Sequence, residues 1–318
     1  MTASYDNLAA LAVLPPVTCG RLQNKSLRVW LAQSNLSLEP TDRELLATIV
    51  DILGLPYPDE SLAALRLWGQ KGERPTVWVA AADPVYLEPR LDHLCLHALP
   101  PERLQPGDFG ALIDHVQEKL GGEQGIGLIR LGDCGYLRAD KPMSTARVPA
   151  YLVDQKVPSE YLPEGKDAAT YRNLLGEIEM SLHDHEVNLR RIAAGEHPVN
   201  SLWIWGGGFS PERETRIQPR LFADDPMLRG YWDSANAVAR VWPGSIAGCI
   251  AAEGDTDIVA VTPEQDDPEF LEHCLAELRA ALRQNRLKRL TLLFRDGLRA
   301  DVARTDALRF WRRDSEFL

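Results

Sequence analysis

The sequence predicts an α/β protein whose sheet is mostly parallel and flanked by helices. Short apolar runs typical of strands alternate with longer amphipathic patterns typical of helices. The 318 residues are 45% hydrophobic and 25% charged, which is the composition of a globular protein with a sizeable core. Because no repeat, low-complexity tract or clear linker interrupts the chain, we predict a single domain over residues 1–318.

Residues 1–70 are predicted to form a mainly helical elaboration of this domain. Thr41 and Glu44 have the spacing of a capping box, and an apolar helical stripe follows them. Gly54 marks the end of that helix. A second, short helix is predicted over Glu60–Trp68.

The middle of the chain alternates apolar runs with helical spacing. The predicted elements are a strand over Pro75–Ala81, a turn at Asp83–Pro84, a strand over Leu94–Ala98, a helix over Phe109–Leu120 and strands over Ile126–Leu131 and Tyr136–Arg138. Residues 139–165 are rich in proline and are predicted to be mostly loop.

The longest helical pattern runs over Asp167–Arg191, and Gly195 marks its end. A compact apolar run over Ser201–Trp205 predicts a strand, which the three glycines at 206–208 are expected to interrupt.

The C-terminal part predicts three further elements. A short strand covers Asp257–Val261, and Pro268 has the place of a first-turn proline in the next helix. Two apolar runs around Asp296–Gly297 predict a β-hairpin over Leu290–Phe294 and Leu298–Val302.

Charge and cysteine content exclude several classes of protein. The formal net charge of −11 argues against a nucleic-acid binder or a protein of anionic membranes. The 5 cysteines are odd in number and form no C-x-x-C pair, which favours a reducing compartment over a disulfide framework. Met1–Leu14 lacks the features of a secretory signal, and no apolar run is long enough to span a membrane. We therefore predict a cytoplasmic protein.

The densest group of polar residues lies between His183 and Gly208. A glycine-ended strand at the carboxyl edge of an α/β sheet is a common ligand site, and glycine lets backbone amides approach a phosphate. The arginine of this segment has the chemistry to clamp a phosphate with two hydrogen bonds. The alternative is that the glycines only form a turn and that the histidines lie on a solvated helix end. The predicted ligand-binding set is His185, Asn188, Arg191, Asn200, Gly206, Gly207 and Gly208.

No metal site is predicted from the residue spacing. His183 and His185 are two residues apart and do not share a helix face. Carboxylates at 255, 257, 264, 266 and 267 surround a predicted strand, as in Mg²⁺ or Mn²⁺ sites, but their spacing favours the start of a helix. A third polar group follows the Pro75–Ala81 strand and consists of Asp83, Arg90, Asp92 and His93.

The His183–Gly208 segment resembles a known family pattern. Archaeal-type cofactor-independent phosphoglycerate mutases, of the alkaline phosphatase superfamily, carry H-P-V-N-x-x-R-x-x-x-G and then a strand ending in W-L-R-G-x-G. This chain has His185-Glu-Val-Asn188-x-x-Arg191-x-x-x-Gly195 and then Val199-Asn200-Ser-Leu-Trp203-Ile-Trp205-Gly-Gly-Gly208. The chain is still more similar to bacterial phosphoglycerate-mutase-like proteins labelled as regulatory proteins of the RpfE type. That resemblance includes the stretches at 82–87, 173–178 and 200–208 and the Phe310-Trp-Arg-Arg313 ending. It implies an alkaline-phosphatase-like fold in a degenerate form.

The departures from the mutase pattern concern the catalytic groups. The resemblance implies an early strand ending in Asp-Gly, a serine nucleophile, and later Asp and His ligands for two divalent metals. This chain has no early Asp-Gly, and Thr262-Pro-Glu-Gln-Asp-Asp-Pro268 follows the Asp257–Val261 strand. Trp205 stands where the family pattern has its arginine, and Glu186 stands where the pattern has its proline. Phosphoryl transfer depends on positioning and charge neutralisation, so the remaining Asn and Arg residues are expected to bind a phosphate ester without transferring it.

Two functions therefore compete. The first is a catalytically degenerate mutase-like protein without a cofactor, which is regulatory or binds a small phosphorylated or anionic ligand. The alternative is a working cofactor-independent phosphoglycerate mutase with Mn²⁺ or Mg²⁺ on relocated ligands, drawn from His183, His185, Asp255, Asp257 and Asp266. A protein partner is the remaining expectation, and exposed tryptophans near the tail would favour it.

Overall fold

The computed structural model describes residues 9–17, 22–122, 125–165, 168–252, 256–265, 267–309 and 311–312. The chain divides into two compact units, one formed by residues 1–41 with 213–318 and the other by residues 42–212. The single domain over residues 1–318 stays a prediction. Five residues singled out above lie outside the described ranges: Asp167, Asp255, Asp266, Phe310 and Arg313.

Strands and helices alternate along the described chain. The strands are β1 (Ala9–Leu14), β2 (Asn35–Leu38), β3 (Val79–Pro89), β4 (Leu94–Ala98), β5 (Ile126–Leu131), β6 (Cys134–Ala139), β7 (Ser201–Gly208), β8 (Arg220–Phe222), β9 (Ala239–Arg240), β10 (Ile258–Val261), β11 (Arg289–Phe294) and β12 (Leu298–Ala303). The helices are α1 (Lys25–Ala32), α2 (Leu45–Leu53), α3 (Leu62–Lys71), α4 (Asp108–Leu120), α5 (Ala168–Leu182), α6 (Glu186–Ala193), α7 (Pro226–Ser234), α8 (Ile246–Ala251) and α9 (Pro268–Arg283). None of the described helices is long and apolar enough to cross a membrane.

The unit of residues 1–41 and 213–318 contains the predicted mostly parallel sheet. Its seven strands have the order β2-β12-β11-β1-β10-β8-β9. β1 is parallel to both β10 and β11, and β8 is parallel to β10 and β9. Among the strands described in this sheet, only β12 pairs antiparallel, with β11 and β2. The α/β prediction with flanking helices is therefore confirmed for this sheet.

β1 shows that the first 70 residues contribute more than helices. Five of its six residues are buried, as expected for a strand covered on both faces. It lies at the centre of the sheet and packs in a core that includes Phe222, Leu275 and Phe294. The sequence did not indicate this strand, because a short apolar run without alternation is equally compatible with a helix.

Two local predictions for the C-terminal part are confirmed. β11 and β12 form the antiparallel hairpin, and Gly297 has the positive φ of 88° that its turn requires. Asp267 caps α9, because its carboxylate accepts a hydrogen bond of 2.9 Å from the backbone N–H of Glu269. The carboxylate of Asp267 thus has the helix-start role that its spacing favoured.

Residues 42–212 form a second unit around an antiparallel sheet. Its order is β4-β3-β6-β5, and β7 also pairs with β3. β4 and β5 have the predicted bounds, and α3 and α4 match the predicted helices closely. The sheet itself was not predicted, because strand spacing does not show which strands pair.

The predicted turn at Asp83–Pro84 is wrong, since β3 continues through both residues. On one side, β3 pairs with β6 over Val79–Ala81 and then with β4 over Val85–Pro89. Pro84 lies in the gap between these pairings, so its missing N–H removes no hydrogen bond from either ladder.

The predicted capping box at Thr41 and Glu44 is also wrong. α2 begins only at Leu45, and the Glu44 side chain makes no capping hydrogen bond. Instead the Glu44 carboxylate accepts a hydrogen bond of 2.8 Å from the hydroxyl of Tyr57. The Glu44 side chain therefore makes a tertiary contact and not the helix cap that the local pattern predicted.

Candidate functional site

The predicted helix over Asp167–Arg191 is wrong as a single helix. α5 ends at Leu182 and α6 begins at Glu186, with His185 in extended conformation between them. The His185 ring accepts a hydrogen bond of 3.3 Å from the N–H of Val187, which replaces a bond that a continuous helix would make. Its other close neighbour is the His115 ring, 4.8 Å away between centroids. Burial, followed by the proximity of His115, lowers the pKa of His185.

Asn188 is buried and all of its observed hydrogen bonds go to the backbone. Its amide nitrogen donates to the carbonyls of Leu182 and Val199, both at 2.8 Å. Its amide oxygen accepts from the N–H of Val199, also at 2.8 Å. One side chain thus joins the end of α5 to the residues that precede β7.

Residues 194–200 connect α6 to β7, and we call them the strap. Arg191 and Asn200 hold it in place. The Arg191 guanidinium donates to the carbonyl of His197 at 2.8 Å and forms an ion pair with Glu196 at 3.0 Å. The Asn200 amide pairs with the backbone of Leu87, accepting from its N–H at 2.7 Å and donating to its carbonyl at 3.0 Å. These contacts fix the strap, and a ligand-binding role of Asn188, Arg191 and Asn200 stays a prediction.

The three glycines at 206–208 do not interrupt the strand as predicted, because they form the end of β7. Gly206 has a φ of +63°, at the point where the pairing of β7 with β3 shifts register. A Cβ atom on Gly208 would lie 2.8 Å from the Cα atom of Ser61, so glycine allows β7 to approach the start of α3. The N–H groups of Gly206 and Gly207 donate to Ala146 and to Thr145. A role of these glycines in ligand binding also stays a prediction.

The strap brings His197 to a group of side chains on the β3–β4 hairpin. The His197 ring stacks on Tyr86 at 4.6 Å and on His97 at 5.4 Å between centroids. Tyr86 is directly opposite His97 in the hairpin, and the next pair on that face is Glu88 and Cys95. We call these five residues the hairpin cluster.

The carboxylate of Glu88 contacts two basic side chains. It lies 2.8 Å from the Nε2 atom of His97 and 2.7 Å from the Nη2 atom of Arg90. The hydrogen bond to His97, followed by the charge of Arg90, lowers the pKa of Glu88 against an opposing effect of desolvation.

The hairpin cluster was missed from the sequence. Two-residue alternation does place Tyr86 with Glu88 and Cys95 with His97. The register that places Tyr86 and Glu88 opposite His97 and Cys95 is visible only in the folded chain.

The relocated metal ligands of the alternative hypothesis do not form a group in the described residues. His183 is exposed, and its Nε2 atom is 3.7 Å from the carboxylate of Asp184. Asp257 lies at the amino end of β10, where its carboxylate accepts from the N–H of Ala9 at 2.9 Å. The other two carboxylates of that hypothesis lie outside the described residues.

Three side chains at the carboxyl edge of the parallel sheet form hydrogen bonds with neighbouring backbone groups. Thr262, after β10, donates its hydroxyl to the carbonyl of Val13 at 3.0 Å. Arg295, after β11, donates its guanidinium to the carbonyl of Thr262 at 3.0 Å. The carboxylate of Asp296 accepts from the N–H of Val17 at 2.8 Å. This edge is where open α/β sheets generally bind ligands.

Part of the sequence is similar to known phosphoglycerate mutases. The 2,3-bisphosphoglycerate-independent phosphoglycerate mutase of Methanosarcina acetivorans is 34% identical over 76 residues, which are 24% of this chain and 19% of that protein. The corresponding enzyme of Methanosarcina barkeri is 40% identical over 68 residues, 21% of this chain and 17% of that protein. Over about a quarter of its length or less, the chain is similar in sequence to cofactor-independent phosphoglycerate mutases. No family model matches this mutase-like chain.

One solved structure shows a similar fold, and a second aligns less closely. The PH0037 protein of Pyrococcus horikoshii aligns with a TM-score of 0.54 and 13% identity, covering 94% of the mutase-like chain and 89% of that protein. A cofactor-independent phosphoglycerate mutase from Thermoplasma acidophilum aligns with a TM-score of 0.45 and 17% identity, over 93% and 89% of the two chains. The sequence matches span only about a fifth of the curated relatives' length, 19% and 17% in the two cases above. The narrower resemblance to the RpfE type stays a prediction.

The carboxyl edge does not fit the two divalent metals that the mutase family implies. After β10 and β11, its groups are a threonine bound to β1, an arginine and the carboxylate of Asp296, which is already bound to Val17. After β8, the carboxylates of Asp224 and Asp225 accept from the N–H groups of Trp242 and Met227. The Arg295 guanidinium is permanently charged and repels a divalent cation.

Proposed function

We propose that this chain is a catalytically degenerate relative of the mutases, which acts by binding rather than by transferring a phosphoryl group. The role is regulatory, with a small phosphorylated or anionic ligand. The observation that carries this proposal is Arg295 at the carboxyl edge of the parallel sheet. Its positive charge disfavours the metals that phosphoryl transfer needs and favours an anion at the same edge.

Two arginines compete as the anchor of such a ligand. The charge of Arg191 is already matched by Glu196, at 3.0 Å, and only 7% of its side chain is exposed. Among the described residues, Arg295 forms an ion pair with no carboxylate and donates to a backbone carbonyl instead. Because an unmatched guanidinium gains more from an anion than a matched one, the geometry favours Arg295.

The catalytic half of the proposal is tested with 3-phosphoglycerate and Mn²⁺. We expect no formation of 2-phosphoglycerate above a protein-free control, because the groups described at the carboxyl edge do not fit the metals on which transfer depends in these mutases. Turnover that depends on Mn²⁺ and scales with protein concentration would contradict the proposal and support the working mutase.

The binding half is tested by thermal shift with 3-phosphoglycerate and other phosphorylated metabolites. We expect stabilisation of the unmodified chain that Arg295→Ala removes and Arg172→Ala, on the exposed face of α5, preserves. Loss of the shift in Arg191→Ala alone would instead place the ligand at the residues predicted from the sequence. The absence of any ligand-dependent shift would count against a phosphorylated ligand.

A protein partner is the second candidate, favoured by one observation. The side chain of Trp311 is 67% exposed near the end of the described chain, and large aromatic side chains are enriched at interfaces. Cross-linking in cells, followed by mass spectrometry, tests this role. Cross-links that are lost in Trp311→Ala would support it.

A further inference from the structure

The hairpin cluster contains three potential metal ligands of different chemistry. One donor atom each from the Glu88 carboxylate, the Cys95 thiol and the His97 imidazole lies within 4.8 Å of the other two. All three side chains are half-buried, and Cys95 forms no disulfide. The cross-strand register of β3 and β4 places these three side chains on one face of the hairpin.

We propose that Glu88, Cys95 and His97 form a Zn²⁺ site with a fourth position open to solvent or to a ligand. Sulfur and imidazole nitrogen donors favour zinc over magnesium, calcium or manganese, which prefer oxygen. A set of three protein ligands with one open position is the arrangement of zinc sites that contact substrates or ligands. This inference is independent of the proposed function, which rests on Arg295 in the other unit.

The distances are compatible with a metal after a small contraction. Bonds of about 2.0–2.3 Å from zinc place tetrahedral ligand atoms about 3–4 Å apart. The Nε2 atom of His97 and the Glu88 carboxylate are already 2.8 Å apart, and the full group spans no more than 4.8 Å. We expect rotation of the Cys95 and Glu88 side chains, with the strands in place, to bring the donor atoms into this range.

The backbone that carries the ligands is held on both sides. β4 pairs with β3, and its Leu96 also exchanges hydrogen bonds with the backbone of Gln155 and Lys156, at 2.7 and 3.0 Å. A rigid support of this kind keeps ligands in place for a metal.

His197 supports the site from the strap. Its ring is nearly parallel to that of His97, with 21° between the planes. Imidazole nitrogens donate in the plane of the ring, so stacked rings do not point their lone pairs at each other. His197 is therefore a positioning residue for His97, and the hydrogen bonds of Arg191 and Asn200 serve to place it.

Arg90 opposes metal binding in the present arrangement. Its guanidinium forms an ion pair with Glu88 at 2.7 Å, and 51% of its side chain is exposed. Zn²⁺ would compete with this cation for the carboxylate, and an exposed arginine can turn into solvent. We therefore expect Arg90→Ala to bind the metal more tightly than the unmodified chain.

Cobalt titration of the full chain tests the site. The protein is stripped with a chelator and titrated with Co²⁺, followed by displacement with Zn²⁺. We expect saturation at a single Co²⁺ per chain, with a near-ultraviolet thiolate-to-cobalt band that Zn²⁺ abolishes. Cys95→Ser removes this band, whereas Cys134→Ser, at the other half-buried cysteine of this unit, retains it.

Histidine variants provide a second, matched pair. His97→Ala is expected to abolish saturable Zn²⁺ binding. His93→Ala, in the same hairpin but with its ring paired to Asp92, is expected to preserve it. Circular dichroism verifies that each variant is folded. The proposal is overturned if the unmodified chain binds no Co²⁺ saturably, if the band persists in Cys95→Ser, or if His97→Ala and His93→Ala bind Zn²⁺ alike.

Discussion

Asn188 illustrates how a residue singled out from the sequence acquires its role from its neighbours. The spacing with Arg191 and Asn200 marked the three as a group, and the resemblance to the mutases assigned them to a phosphate ester. In the structure their bonds go to Leu182, Val199, His197 and Leu87. Leu87 is 113 residues from Asn200 in the sequence, so no local pattern could have shown this partner.

Replacing Asn188 with alanine is expected to destabilise the protein strongly. The change leaves three buried backbone groups without their partner, and each such loss costs about 1–3 kcal/mol. Allowing for partial relaxation, we expect the free energy of unfolding to fall by about 3 kcal/mol in urea denaturation followed by circular dichroism.

Asn173→Ala is the matched control for this measurement. Asn173 is exposed on α5, and surface substitutions usually change stability by less than about 0.5 kcal/mol. Equal stability of the two variants would contradict the structural role of Asn188.

At the level of elements, the packing of β7 against the start of α3 depends on a glycine. The sequence predicted the strand over Ser201–Trp205 but took the following glycines as its end. In the folded chain, position 208 requires glycine because Ser61 leaves no room for a Cβ atom there. Local composition indicates flexibility at glycines, whereas close approach between elements is visible only in the folded chain.

Gly208→Ala is expected to destabilise this unit by overpacking. The added Cβ would lie 2.8 Å from the Cα atom and 2.2 Å from the Oγ atom of Ser61, so α3 or β7 must shift. Overpacking costs about 1–3 kcal/mol, and we expect a lower melting temperature.

Gly176→Ala serves as the opposite control for the glycine substitution. Gly176 lies within α5 and nothing is within 4 Å of an added Cβ, so alanine should stabilise the helix by about 0.5–1 kcal/mol. Melting temperatures that move in the same direction in both variants would refute the close-approach argument.

At the scale of the whole molecule, the chain forms two compact units that the sequence did not separate. Residues 42–212 are continuous, whereas the other unit combines residues 1–41 with 213–318. No compositional linker marks these crossings, which explains why a single domain was predicted. Each unit has its own sheet and its own buried aromatic side chains, with Trp68, Trp203 and Trp205 in residues 42–212.

We expect the segment 42–212 to fold when it is expressed alone. A compact unit with its own hydrophobic core meets the physical requirement for independent folding. Near-ultraviolet circular dichroism from its buried tryptophans and a cooperative urea transition would demonstrate it. A segment without fixed tertiary signal would instead favour the single domain over 1–318 predicted from the sequence.

The sequence by itself determined the α/β class, most helices and strands, the terminal hairpin and the departures from the mutase pattern. These features depend on local periodicity, on turn residues and on which residue types are present, all of which are readable along the chain. Only the tertiary structure decided that Asn188, Arg191 and Asn200 hold the strap, that Arg295 stands at the carboxyl edge, and that Glu88, Cys95 and His97 converge. The physical reason is that strand register and side-chain contacts join residues distant in sequence, and their energies depend on three-dimensional proximity.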